Sequence, residues 1–174
     1  AGGDIGWADR KRKAAFRSNE ERYVSIADRI CEKGWFGQKT GRGYYKYTPG
    51  ARRGEEDPEV LSIIQEERKV KGIEARSLSS DEIRRRYFAA MVNEGAKVLE
   101  EKMALRPSDI DVTKLFGYGF PRHMGGPMRY ADVYGIENIL NDLKELEKED
   151  PYFWKPAELI VKLVEEGKDF NSLN

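Results

Sequence analysis

Apolar residues recur at helical spacing along most of this chain, and strand-like alternation is confined to Tyr44-Tyr45-Lys46-Tyr47. Ser18 followed by Glu21 fits a capping box, in which side chains satisfy the free amides of a helix start. Ile26 and Ile30 then form an i,i+4 stripe, and Gly34 supplies a stop. Asp57-Pro58 predicts a further helix start, with proline at the first helical position and Leu61, Ile64 and Arg68 following. Ser79 with Glu82 is a second capping box. The helix behind it carries Ile83, Tyr87, Ala90, Met91, Glu94, Val98 and Leu99 near the helical period and runs to about Met103. Pro107-Ser108 opens a short helix through Leu115. Pro127 starts another, which Gly135 breaks. Ile136, Ile139, Leu140, Leu143 and Leu146 make a regular apolar face, and Pro156 opens a last helix with Leu159, Ile160, Leu163 and Val164, ended by Gly167. The pattern predicts an all-α protein.

Between two of these helices lies Gly117-Tyr118-Gly119-Phe120-Pro121-Arg122-His123-Met124-Gly125-Gly126-Pro127-Met128. Glycine frees the backbone and proline restricts it, so a loop that uses both heavily follows one particular path. This loop is too long and too apolar for a solvated connector, which predicts that it is packed down or bound to something. Gly117, Gly119, Pro121, His123, Gly125, Gly126 and Pro127 are its structural candidates. Glu94 lies on the apolar stripe of the preceding helix. A buried glutamate is costly unless paired, so Glu94 is expected to bond into a loop, this one included.

Composition narrows the partners. Charged residues reach 36% and apolar residues 39%, a balance suited to helices with solvated outer faces. Lys+Arg and Asp+Glu number 31 each, so no overall field draws nucleic acid or a membrane surface. Arg10-Lys11-Arg12-Lys13 could meet an anion but reads better as a solvated helix face, and Arg84-Arg85-Arg86 reads as an outer face. No apolar run approaches about 18 residues, so no membrane span is expected. Cys31 stands alone, which precludes an internal disulfide and favours a reducing compartment. No signal-peptide pattern precedes Ala1-Gly2-Gly3-Asp4, and this start without methionine predicts a piece of a longer chain. A faint overlay of Ala1–Trp7 on Tyr134–Leu140 hints at an internal repeat.

Candidate chemistry is sparse. One His and one Cys do not supply a zinc set, and no metal site is expected. His123 is the one imidazole open to a nucleophilic triad, although its place in the loop suits a structural or ligand-orienting role better. Cys31 reads as a buried structural thiol. Gly37-Gln38-Lys39-Thr40-Gly41-Arg42-Gly43 invites a phosphate-cradle reading without the Walker spacing; the alternative is a turn that projects Tyr44, Tyr45 and Tyr47 back onto a core. No G-x-G-x-x-G occurs.

Three stretches together resemble the C-terminal helical region of the L-3-hydroxyacyl-CoA dehydrogenases, most nearly the multifunctional enzymes of fatty-acid β-oxidation that also carry an enoyl-CoA hydratase. They are Trp35–Tyr47, which is similar to a G-x-K-T-G-x-G-[FY]-Y segment; Met91–Glu101 with Arg106–Asp111; and the glycine-rich loop through Gly126-Pro127-Met128 and Tyr130-Ala131-Asp132. The resemblance implies that residues 1–50 form a truncated first helical copy, 51–78 a connecting segment with one helix, and 79–174 a complete second copy. It also implies an upstream Rossmann domain holding NAD and the catalytic His-Glu pair, with acyl-CoA as substrate of the whole enzyme. His123 does not match that pair. The family's substrate-binding asparagine lies upstream of Ala1, and a large aliphatic residue is usual where Gly3 stands.

No catalytic, cofactor-binding or metal residue is therefore expected in this chain. The implied role is cleft closure and dimer or pseudo-dimer packing for oxidation of 3-hydroxyacyl-CoA to 3-ketoacyl-CoA, with self-association and no activity of the isolated chain. The alternative is a non-catalytic helical interaction module. The C-terminal Ser172-Leu173-Asn174 lacks the peroxisomal Ser-Lys-Leu address, which favours bacterial cytoplasm over peroxisome.

Overall fold

A computed structural model describes residues 2–174; Ala1, with which the overlay above begins, lies outside the described residues. The chain forms two compact units that divide between Ser77 and Leu78. Helices dominate both, and the expected all-α class holds.

The first unit contains α1 (Gly3–Lys13), α2 (Ile26–Glu32) and α3 (Pro58–Lys71). Its two-residue strands β1 (Tyr45–Lys46) and β2 (Glu55–Glu56) pair antiparallel, Tyr45 opposite Glu56. The core is small: Ile30 of α2 meets Val60 and Ile63 of α3, with Ile26, Trp35 and Ile64 around them. The helix expected within a connecting segment is thus part of this unit's core. It starts as its sequence predicts, with Pro58 in the first turn and the Asp57 carboxylate accepting the Glu59 amide (3.0 Å).

Two expectations for this unit are corrected. Ser18 caps no helix, because its hydroxyl accepts the Glu20 amide (3.1 Å) and closes a local turn. Helix α2 begins only at Ile26, where the Ser25 hydroxyl and amide donate to the Glu67 carboxylate (2.6 and 2.9 Å). Nor do Tyr44 and Tyr45 fold back onto a core, at 50% and 49% exposed; of the three tyrosines only Tyr47 is half-buried. Arg42 takes the inward place, its guanidinium 3.5 Å from the Trp35 ring centroid and bonded to Asp57 (2.6 and 3.1 Å).

The second unit holds α4 (Ser80–Glu100), α5 (Pro107–Gly117), α6 (Pro127–Tyr134), α7 (Ile136–Glu147) and α8 (Glu158–Glu165). Ser79 caps α4 by accepting the Glu82 amide (3.1 Å). Val92 and Ala96 of α4, Met128 of α6, Leu143 of α7, Ile160 of α8 and Phe170 join in one apolar core. Helix α8 begins two residues after Pro156 because Asn93 holds the preceding backbone extended: Asn93 donates to the Lys155 carbonyl (2.9 Å) and accepts the Ala157 amide (2.8 Å). No helix among the described residues is long and apolar enough to cross a membrane.

Helix α4 carries two apolar stripes. Phe88, Ala89, Val92 and Ala96 are buried, whereas Ile83 and Tyr87, from the stripe that the sequence suggests as the core face, are 53% and 56% exposed. At about 100° per residue the two stripes lie on nearly opposite sides of the helix.

Candidate functional site

The glycine-rich loop is held at both ends and open in the middle. The amides of Tyr118 and Phe120 both donate to the Lys114 carbonyl (3.2 and 3.1 Å), which folds the chain back as α5 ends at Gly117. Gly119 has φ 68°. Phe120 then drops into the core, edge-on to Phe88 at 6.0 Å, and Phe88 stacks on Tyr130 of α6 at 3.9 Å. A single 3-10 turn, Arg122–Met124, follows Pro121. His123 lies exposed in that turn, and Gly125 closes it at φ 77°.

The far end is anchored by a carboxylate. Asp111 of α5 accepts the amides of Met128 (2.8 Å) and Arg129 (3.0 Å) at the start of α6. Gly126 passes directly over it with φ 109°, and a Cβ there would overlap the Asp111 carboxylate. Pro127 is buried as the first residue of α6. Asp132, one turn on, accepts the amides of Phe170 (2.9 Å) and Asn171 (3.0 Å) and ties the C-terminal segment to α6. Burial pushes both carboxyls above their usual range, outweighing the amides that favour the charged form; each also feels a second carboxylate, Asp132 for Asp111 and Asp169 for Asp132.

Glu94 does not buttress this loop. It is exposed, and the polar side chain turned inward at this level of α4 is its neighbour Asn93. The expectation failed because Glu94 does sit on an apolar stripe, but on the uncovered one. That stripe forms one wall of a groove of about 750 Å³ between α4 and α5. Tyr87, Met91 and Val98 line its α4 side, and Ile110, Lys114 and Tyr118 line the other. Gly95 borders it from within the helix, where a Cβ would press on the Met128 sulfur at 2.6 Å.

Elsewhere the candidate chemistry is consumed by structure. Lys39 pairs with Asp4 (2.7 Å). The Thr40 hydroxyl accepts the Phe36 amide (2.9 Å) and lies 3.0 Å from the carbonyls of Gly37 and Arg42. Residues 37–43 therefore form a self-closed turn rather than a phosphate cradle. Cys31 is buried, and desolvation raises its thiol pKa. In the basic run, Arg10 pairs with Asp28 (2.6 Å), and Arg12 and Lys13 pair with Asp9 (2.6 and 2.9 Å). No group of three or more His, Cys, Asp or Glu side chains among the described residues is placed to hold a metal.

Comparison with known proteins finds relatives among peroxisomal bifunctional enzymes and fatty acid oxidation complexes. A peroxisomal bifunctional enzyme of Danio rerio is 40% identical over 96% of this chain, which spans 25% of that protein. The alpha subunit of a fatty acid oxidation complex from Idiomarina loihiensis is 34% identical over 77% of this chain and is matched over 18% of its own length. Among solved structures, the dehydrogenase part of multifunctional enzyme 1 from C. elegans superposes with a TM-score of 0.66 at 27% identity, covering 92% of this chain and 36% of that one. The chain thus spans about a quarter of the length of the peroxisomal relatives it matches. These relatives correct the ranking of bacterial cytoplasm above peroxisome. The proteins matched over nearly the whole chain are peroxisomal, and the bacterial ones match less of it at lower identity. The C-terminal tripeptide was too slight a signal to set that order. The family description "3-hydroxyacyl-CoA dehydrogenase, C-terminal domain" fits residues 83–170, α4 through the residue that Asp132 anchors. The chain belongs to the C-terminal domain family of the 3-hydroxyacyl-CoA dehydrogenases.

Proposed function

We propose that this chain supplies the helical part of an NAD-dependent L-3-hydroxyacyl-CoA dehydrogenase acting in fatty-acid β-oxidation. In that reaction the 3-hydroxyl carbon of the acyl-CoA gives a hydride to NAD and becomes a 3-keto group. The residues of this chain pack and position; they do not transfer the hydride. One observation carries the reading: the buried polar side chains of the second unit among the described residues are spent on structure. Asp142 pairs with Arg85 and accepts the Tyr134 hydroxyl (3.2 Å), while the other two hold backbone. Asp111 holds the start of α6, and Asn93 holds the entry to α8. Meanwhile His123, the single imidazole, faces solvent in a turn. The open α4–α5 groove fits the packing role, since an uncovered apolar stripe on a long helix calls for a partner surface.

The test is steady-state NADH consumption with acetoacetyl-CoA by the purified 174-residue chain. The expected result is no turnover above the buffer rate. Saturable, enzyme-proportional oxidation of NADH would overturn the division of labour proposed here. In the whole enzyme NAD is the cofactor and acyl-CoA the substrate, both met through an upstream Rossmann domain.

A further inference from the structure

Where α5 gives way to the glycine-rich loop, two aromatic rings stand in solvent with a cation beside each. Phe116 is 73% exposed and Tyr118 74%. The Arg122 guanidinium lies 5.4 Å from the Phe116 ring centroid, and the Lys114 ammonium 4.7 Å from that of Tyr118. Cations also sit over Trp7, Tyr23, Trp35 and Phe36, but each of those rings is half-buried. Arg17, Lys39 and Arg42 in those pairs are also bonded to carboxylates. Neither Arg122 nor Lys114 has an ion-pair partner among the described residues.

The corner is anchored. The Lys114 carbonyl accepts the amides of Tyr118 and Phe120 (3.2 and 3.1 Å), and the buried Phe120 ring packs against Phe88. Between and beside the two exposed rings the surface is open: beyond the adjacent residues and the helix's own backbone, nothing lies within 4 Å of where a Cβ of Gly117 or Gly119 would stand. An apolar partner would cover the rings but strand two unpaired cations in a dry contact, which is costly. An acidic peptide would pair the cations and leave the rings unused. A nucleotide uses both, because its base has a flat face to stack on an aromatic ring and its phosphates match the arginine fork and the ammonium. A nucleic-acid strand needs a basic track to follow, and with Lys+Arg and Asp+Glu at 31 each this chain has no overall field for one.

We propose that this corner binds the nucleotide end of coenzyme A, with the adenine stacked on the exposed rings of Phe116 and Tyr118 and the phosphates held by Arg122 and Lys114. Coenzyme A gathers a diphosphate and a further ribose phosphate around one base, which suits two cations set among two rings. This rests on the acyl-CoA reading proposed above and gives the second unit a hold on the end of the substrate that does not react.

Isothermal titration calorimetry of the 174-residue chain tests it with four probes: coenzyme A, 3′-phosphoadenosine 5′-phosphate, NAD and pantetheine. Coenzyme A and 3′-phosphoadenosine 5′-phosphate should bind saturably and more weakly as salt is raised, whereas pantetheine, which has no nucleotide, should not bind. NAD, which lacks the ribose phosphate, should bind about fivefold more weakly or less. Arg122→Gln and Phe116→Ala should each weaken coenzyme A binding about fivefold or more. Arg122→Lys, which keeps the charge and loses the fork, should fall between Arg122→Gln and the wild type. Both side chains are exposed, and far-UV circular dichroism confirms that each variant is folded. Absence of saturable coenzyme A binding overturns the proposal, as do variants that bind it as the wild type does. Pantetheine or NAD binding as tightly as coenzyme A also overturns it, and a single-stranded oligonucleotide that displaces coenzyme A at lower concentration assigns the corner to nucleic acid instead. None of these outcomes touches the dehydrogenase assignment, which the turnover measurements decide separately.

Discussion

At Gly126 the backbone and a carboxylate occupy neighbouring space with no room for a methyl group. The sequence shows the glycine, and its φ of 109° explains it, but the reason for the close approach lies in Asp111, fifteen residues earlier. Gly126→Ala combines strain at positive φ with steric overlap and should destabilise the second unit by more than about 2 kcal/mol. Asp111→Ala, which removes only the cap, should cost about 1–2 kcal/mol. Hydrogen exchange of peptides covering α6 reads both. The acid titration of these groups has a defined sign. Asp57 is held below its ordinary value near 3.8, first by Arg42, so its contribution is present above that value and is lost as pH falls through the folded pKa. Asp111 and Asp132 are raised by burial, so theirs is complete below the ordinary value and is lost as pH rises through the folded pKa. Stability measured against pH should therefore separate the two groups. The wild-type advantage over Asp57→Asn should grow with rising pH, and that over Asp111→Asn should shrink. Parallel profiles would contradict this assignment.

On the scale of elements, most helix starts are legible because their signals are local. Ser79 with Glu82, Asp57-Pro58, Pro107 and Pro127 all mark helices that form. Ser18 with Glu21 carries the same letters and forms only a turn, since no packed apolar face follows it directly. The more instructive miss is α4. Periodicity reports an apolar stripe, and this helix has two, so spacing alone does not say which faces the core. The outcome is set by residues far away in sequence: Phe120, Met128 and Tyr130 claim Phe88 and its face, and Glu94 is left on the other. Asn93 was likewise hidden, because its partners are backbone atoms more than sixty residues on. Asn93→Ala should cost about 2–3 kcal/mol through two orphaned backbone groups. Faster exchange at residues 155–160, with α5 little changed, is the expected pattern; uniform loss of protection across the unit would argue for a less local role.

For the whole molecule, the family could be read from three short motifs in order, while the catalytic question could not, because glycine-rich loops serve structure and ligand alike. Their geometry separates the two: the 37–43 turn spends its lysine and threonine internally, and the 117–128 loop is pinned by Phe120 and Asp111. The two units divide at a segment whose residues from Glu74 to Ser79 are exposed, so brief trypsin treatment should cut first near Lys71 or Arg76 and leave a C-terminal piece that keeps its helical spectrum. The most direct test of the central claim replaces the matching quarter of the Danio rerio peroxisomal bifunctional enzyme with this chain and measures NADH oxidation by acetoacetyl-CoA. The account predicts a soluble chimera with turnover within about tenfold of the parent. A well-folded chimera whose dehydrogenase rate falls by more than about a thousandfold would contradict it.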